Sequence, residues 1–98
     1  MQVEDFVDDV QKLIDLESSS FNEGSLNWTS YGSLEQINEF LVEQNKKHPN
    51  ITELFSIGKS HEGRDLLVLK ISRGGAPKKT IWLDANIHAR EWITSAVA

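Results

Sequence analysis

The 98-residue chain contains no cysteine, which excludes a disulfide framework and any thiolate metal site while leaving the redox compartment open. No stretch approaches the roughly 20 consecutive apolar residues of a membrane-spanning helix, so no membrane partner is implied. Positive charge is scarce. Ten Lys and Arg against fifteen Asp and Glu give a net charge of −5, and no basic cluster of the kind a nucleic-acid partner requires is present. Between Lys12 and Lys46 there is no Lys or Arg at all. The first residues are acidic and carry no signal-peptide pattern. What remains is an ordinary globular composition, 39% apolar and 26% charged, on a length that suits one small domain. There are no internal repeats and no low-complexity tract.

Val3, Phe6, Val7, Val10, Leu13 and Ile14 recur every three or four residues, with Asp5, Asp8, Asp9, Gln11, Lys12 and Asp15 between them. That period predicts a helix from about residue 4 to 17 with one buried stripe. Ser18 to Asn27 is rich in Ser, Asn and Gly without periodicity, and reads as a mobile linker. A second helix is predicted from Ser33, whose hydroxyl can cap free backbone N–H groups while Gln36 reaches back in a capping box. Leu34, Ile37, Phe40 and Leu41 form its apolar face. Lys46, Lys47 and His48 suit the negative end of the helix dipole, and Pro49 stops the helix.

Strands are expected next. Glu53–Ile57 and Leu66–Ile71 flank a turn at Gly58–Asp65, and the second run is apolar on both faces, as in a sheet covered on both sides. Arg73–Lys79 is a loop, Thr80–Ala85 a third apolar strand, and Glu91–Ala98 the start of a last helix. The order helix, strand, strand, strand, helix suits an α/β domain of three layers. A sheet this apolar needs covering helices that the chain does not supply, so the chain reads as the opening part of a larger domain.

The chemistry-bearing stretch is Asn86-Ile87-His88-Ala89-Arg90-Glu91-Trp92. A His and a Glu three residues apart, where a strand hands over to a helix, can aim an imidazole and a carboxylate at one point. A catalytic zinc commonly takes three protein ligands and keeps one position for water, so this pair would be an incomplete set. The spacing alone leaves two readings open: a metal pair, or a Glu that simply complements the first turn of a helix. Neither His48, at a helix end, nor His61, in Ser60-His61-Glu62-Gly63-Arg64 at a hairpin tip, stands near Glu91 in sequence, and each reads as a solvated histidine. Arg90 could grip a carboxylate with two parallel hydrogen bonds, and the Trp92 indole could wedge its helix onto a core. Asn27-Trp28-Thr29 and Asn50-Ile51-Thr52 match the N-glycosylation pattern, which is short and common.

Ile87-His88-Ala89-Arg90-Glu91-Trp92-Ile93 resembles the first zinc-ligand signature of the zinc metallocarboxypeptidases of the A/B type. Three further blocks fall in the family's order. Asp8-Asp9-Val10-Gln11-Lys12-Leu13-Ile14-Asp15 resembles the last helix of the inhibitory propeptide, and Tyr31-Gly32-Ser33-Leu34-Glu35-Gln36-Ile37 the start of the first helix of the mature enzyme. Ile57-Gly58-Lys59-Ser60-His61-Glu62-Gly63-Arg64 followed by Val68-Leu69-Lys70-Ile71-Ser72 resembles the first hairpin.

The resemblance implies an opening portion of a three-layer α/β/α domain with a mixed sheet, ending after the third strand and the start of the next helix. It divides the chain into a propeptide-like segment (1–17), a linker (18–30) and the N-terminal part of a catalytic domain (31–98). It makes His88 and Glu91 two of three zinc ligands, in the two-histidine, one-glutamate set established for that family rather than derived from spacing, and makes Arg90 a substrate contact. The implied partner is a peptide or protein C-terminus, whose last peptide bond is hydrolysed. The family's third ligand, general-base Glu, carboxylate-clamping Arg and specificity pocket have no counterpart in these 98 residues, so the chain alone is expected to be inactive, with A-type or B-type preference undefined.

Family members are mostly secreted, which implies an extracellular location; the missing signal pattern fits a chain without its true N-terminus. Digestive members are released by a cut after a basic residue, and the linker offers none. The rival expectation is a catalytically dead binding or regulatory fragment that uses the propeptide-like helix.

Overall fold

The computed structural model describes residues 7–19, 26 and 30–98. Five elements follow in order: α1 (Val10–Ser19), α2 (Leu34–Lys47), β1 (Thr52–Lys59), β2 (Asp65–Ile71) and α3 (Ile93–Val97).

α2 is built as its sequence dictates. Ser33 Oγ accepts from the Gln36 N–H at 3.2 Å, and Gln36 Oε1 accepts from the Ser33 N–H at 2.9 Å, closing the capping box. Glu35 in the first turn and Lys46 and Lys47 in the last complement the dipole, and Lys47 pairs with Glu43 one turn back at 2.7 Å. His48 caps the C-terminus through its N–H to the Gln44 carbonyl, before Pro49. The His48 carbonyl then accepts from the backbone N–H groups of Ile51 and Thr52 and from the Thr52 hydroxyl, which turns the chain directly into β1. Before the helix, Gly32 lies so close beneath the Leu26 side chain that a Cβ there would collide with it.

β1 and β2 form an antiparallel hairpin in which Leu54 faces Leu69 and Phe55 faces Val68. Glu53 and Lys70 are directly opposite and pair at 3.7 Å, a favourable cross-strand couple. The register shifts between Ser56 and Lys59, where Gly58 takes φ 147. At this bulge Lys59 Nζ and the Ser56 hydroxyl both donate to Asp65 Oδ1, at 2.9 and 3.1 Å. The Lys59 hydrogen bond foremost, then Ser56, then the Lys59 charge hold the Asp65 carboxyl below the usual carboxylate range. His61 stands at the hairpin tip as expected, in a turn closed by Ser60 and Arg64.

α2 packs on both strands, whereas α1 and α3 pack on none of these elements. Ile37, Phe40 and Leu41 are half-buried, as are Leu54, Leu67, Val68 and Leu69, but no described residue is fully buried.

Three expectations need correcting. Thr80–Ala85 is not a strand: a ladder needs a second backbone alongside, the described strands pair only with each other, and Ile81 and Leu83 stand 84% and 80% exposed. The sheet among the described residues is accordingly two-stranded and antiparallel, with one covering helix. The first helix begins at Val10 rather than near residue 4, since Val7–Asp9 are not helical. Asp9 Oδ1 accepts from the Lys12 N–H at 3.1 Å, acting as an N-cap that ends the helix on that side. α1 also runs through Ser18 and Ser19, into the expected linker. Most of that linker, residues 20–25 and 27–29, and the expected helical residues 4–6 lie outside the described residues.

Candidate metal centre on the His88–Glu91 turn

The stretch from Asn86 to Thr94 is a small hydrogen-bonded unit. Asn86 sits at φ 67, a left-handed conformation that Asn tolerates better than most side chains. Its N–H donates to Thr94 Oγ1 at 3.0 Å, and the Thr94 hydroxyl donates onward to the Glu91 carbonyl at 2.8 Å. Within this clasp the Glu91 N–H donates to the His88 carbonyl at 2.9 Å, closing a turn over Ala89 and Arg90. The Thr94 N–H also donates to the Glu91 carbonyl, at 3.1 Å, which leads the turn into α3.

His88 and Glu91 share one turn, and the strand-to-helix handover expected from the sequence is not formed. His88 follows an unpaired segment rather than a strand end, and Glu91 immediately precedes Trp92, the residue before α3, instead of lying inside the helix. His88, Arg90 and Glu91 are all exposed. Trp92 meets Tyr31 edge to face, with ring centroids 5.8 Å apart at 82°, and so ties the turn to the chain just before α2.

By donor chemistry the turn suits zinc, which takes imidazole nitrogen and carboxylate oxygen at about 2.0–2.2 Å. It supplies two such groups. Among the described residues no set of three His, Asp or Glu side chains comes together. His48 at the end of α2 and His61 at the hairpin tip are both exposed, and neither belongs to such a set. Sequence reasoning missed the Thr94 clasp and the Tyr31 partner of Trp92. A hydroxyl three residues after Glu91, positioned to bond back to its carbonyl, was the signal available for the first.

Residues 37–98 match the family model described as zinc carboxypeptidase. The chain belongs to the zinc carboxypeptidase family. Its relatives include human carboxypeptidase A6, 40% identical over 98% of this chain, and bovine carboxypeptidase A1, 38% identical over 92%. In each case the chain spans 23% of the relative's length. The fold agrees with a crystal structure of thrombin activatable fibrinolysis inhibitor at a TM-score of 0.75 and 34% identity, covering 92% of this chain and 24% of that one. The fold match bears out the α/β carboxypeptidase fold expected from the sequence, and the His88–Glu91 turn lies inside the matched region.

Proposed function

We propose that this chain carries the first part of a zinc metallocarboxypeptidase site, in which His88 and Glu91 hold zinc and Arg90 binds the peptide substrate upstream of the scissile bond. The observation that carries the reading is the hydrogen-bonded His88–Glu91 turn, two zinc-compatible donors three residues apart within the family match. Zinc, when bound, polarises the carbonyl of the last peptide bond and lowers the pKa of attacking water. The Asn86–Thr94–Glu91 clasp fixes the backbone from which the two ligands project, a supporting role of the sort that holds metal ligands in place. Arg90, exposed between them, presents a guanidinium to peptide carbonyl oxygens.

The substrate is a peptide or protein C-terminus, the reaction is hydrolysis, and the setting is extracellular. Residues 1–17 act as a propeptide-like segment, 18–30 as a linker and 31–98 as the N-terminal part of the catalytic domain. With two ligands and no general base of the family pattern, these 98 residues alone are inactive. Incubating the chain with zinc and a short peptide, and reading products by mass spectrometry, tests this. No loss of the C-terminal residue is expected, and its stepwise release would overturn the incomplete-site reading.

A second reading rests on α1. Val10, Leu13 and Ile14 expose 62%, 51% and 38% of their surface on a helix that packs against no other described element. Such an apolar stripe suits a binding or regulatory fragment without catalysis, which would leave His88 and Glu91 without a metal role.

A further inference from the structure

The chain has ten Lys and Arg residues, and seven of them sit in backbone that is already committed. Lys12, Lys46 and Lys47 are helical, while Lys59 and Lys70 lie in paired strands and bond to Asp65 and Glu53. Arg64 closes the hairpin turn through Ser60, and Arg90 lies inside the His88–Glu91 turn. The remaining three, Arg73, Lys78 and Lys79, fall in one loop between β2 and Thr80. Every residue from Lys70 to Asp84 is exposed. The loop is anchored at its start, where the Ser72 N–H donates to the Ile51 carbonyl and the Gly74 N–H to Ser72 Oγ. Beyond Gly74 no hydrogen bond or ion pair is found among the described residues up to Asn86. At Gly74 and Gly75, with φ 72 and 92, nothing lies within 4 Å of where a Cβ would stand. The backbone at these two glycines is therefore open to solvent on its Cβ side.

We propose that Arg73–Lys79 is a processing site for trypsin-like serine proteases. Such an enzyme takes its substrate as an extended segment in its own cleft, and exposed loop tips of small and polar residues are where nicking concentrates. Cleavage after Lys79 adds water across the Lys79–Thr80 amide. The C–N bond breaks, Lys79 gains a carboxylate and Thr80 an ammonium, and nothing is oxidised or reduced. The cut severs α1, α2 and the hairpin from the segment carrying His88, Arg90 and Glu91. That it would disable a peptidase rests on the function proposed above, whereas the cut itself does not.

The test is brief digestion of the whole 98-residue chain with dilute trypsin, with products mapped by mass spectrometry over time. Bonds inside helices, paired strands and hydrogen-bonded turns must open before they are cut, so loop bonds should be cut at least about tenfold faster than any other Lys or Arg bond. In concentrated urea that preference should vanish. A variant carrying R73Q, K78Q and K79Q should lose intact chain about tenfold more slowly, with an unchanged far-UV spectrum. First cleavage after any Lys or Arg outside the loop, Lys12, Arg64 and Arg90 included, would overturn the proposal. So would an undiminished loop preference in urea, or wild-type digestion of the triple variant. Zinc binding by the uncut chain is measured independently, so failure here leaves the metal reading standing or falling on its own.

Discussion

Replacing Ser33 by Ala removes the acceptor of the Gln36 N–H, 3.2 Å from Ser33 Oγ, and leaves the return bond from the Ser33 N–H to Gln36 Oε1. Loss of such an N-cap costs about 1 kcal/mol, roughly a fivefold fall in the ratio of folded to unfolded chain. α2 is the only described element that packs on both strands, so the loss should be felt by the hairpin as well as the helix. With a urea dependence of about 1 kcal/mol per molar for a chain this short, the midpoint of a far-UV unfolding curve should drop by about 1 M. Ser33→Asp should stay within a few tenths of a kcal/mol of wild type, because Asp is an equally good N-cap and its charge suits the helix dipole. A midpoint unmoved by Ser33→Ala, or an Asp variant as damaged as the Ala variant, would refute the capping argument.

Thr94→Val removes the hydroxyl that receives the Asn86 N–H. At about 0.5–1.5 kcal/mol for the bond, hydrogen exchange of the Asn86 amide should speed up roughly 2- to 13-fold, with α2 and the hairpin unaffected; unchanged exchange would dissolve the clasp. The folded-state pKa of Asp65 is lowered by Lys59 and Ser56, so the carboxylate's contribution to the hairpin is present above its unfolded pKa and is lost as acid carries the pH down through the lowered value. An NMR titration should show the Asp65 carboxyl titrating below a free Asp and moving up in Ser56→Ala; the reverse order would sink the assignment. Proteases other than trypsin should cut between Ser19 and Asn27, while trypsin leaves the Lys-free and Arg-free stretch from Leu13 to Asn45 intact. Protection from every protease would mean that the linker is packed.

What could be read from the sequence was what neighbouring residues decide among themselves. The Ser33/Gln36 box, the stop at Pro49 and the hairpin around Gly58 and Gly63 depend on local backbone geometry, and the structure forms each of them. Thr80–Ala85 shows the opposite case. Its apolar composition indicates that a sheet should bury it, yet composition does not provide the neighbouring strand, and among the described residues none is present. The start of α1 was misplaced because the apolar period continues through Val7, whereas the Asp9 side chain ends the helix by bonding Lys12. At the candidate site, the His88/Glu91 spacing was legible, but the turn that joins them was not, since a strand end and a helix start were expected there. The Thr94 clasp and the Tyr31–Trp92 contact were not, since each joins residues whose meeting depends on the path of the chain.

Calorimetric zinc titration of the chain and its single variants is the most direct test of whether His88 and Glu91 are zinc ligands. The wild-type chain should bind one zinc weakly, readily stripped by a mild chelator, because two protein ligands leave the remaining positions to water. Binding should disappear in His88→Ala and in Glu91→Gln, and persist unchanged in His48→Ala and His61→Ala. Binding that survives His88→Ala, or that is lost with His48 or His61 instead, would contradict the assignment.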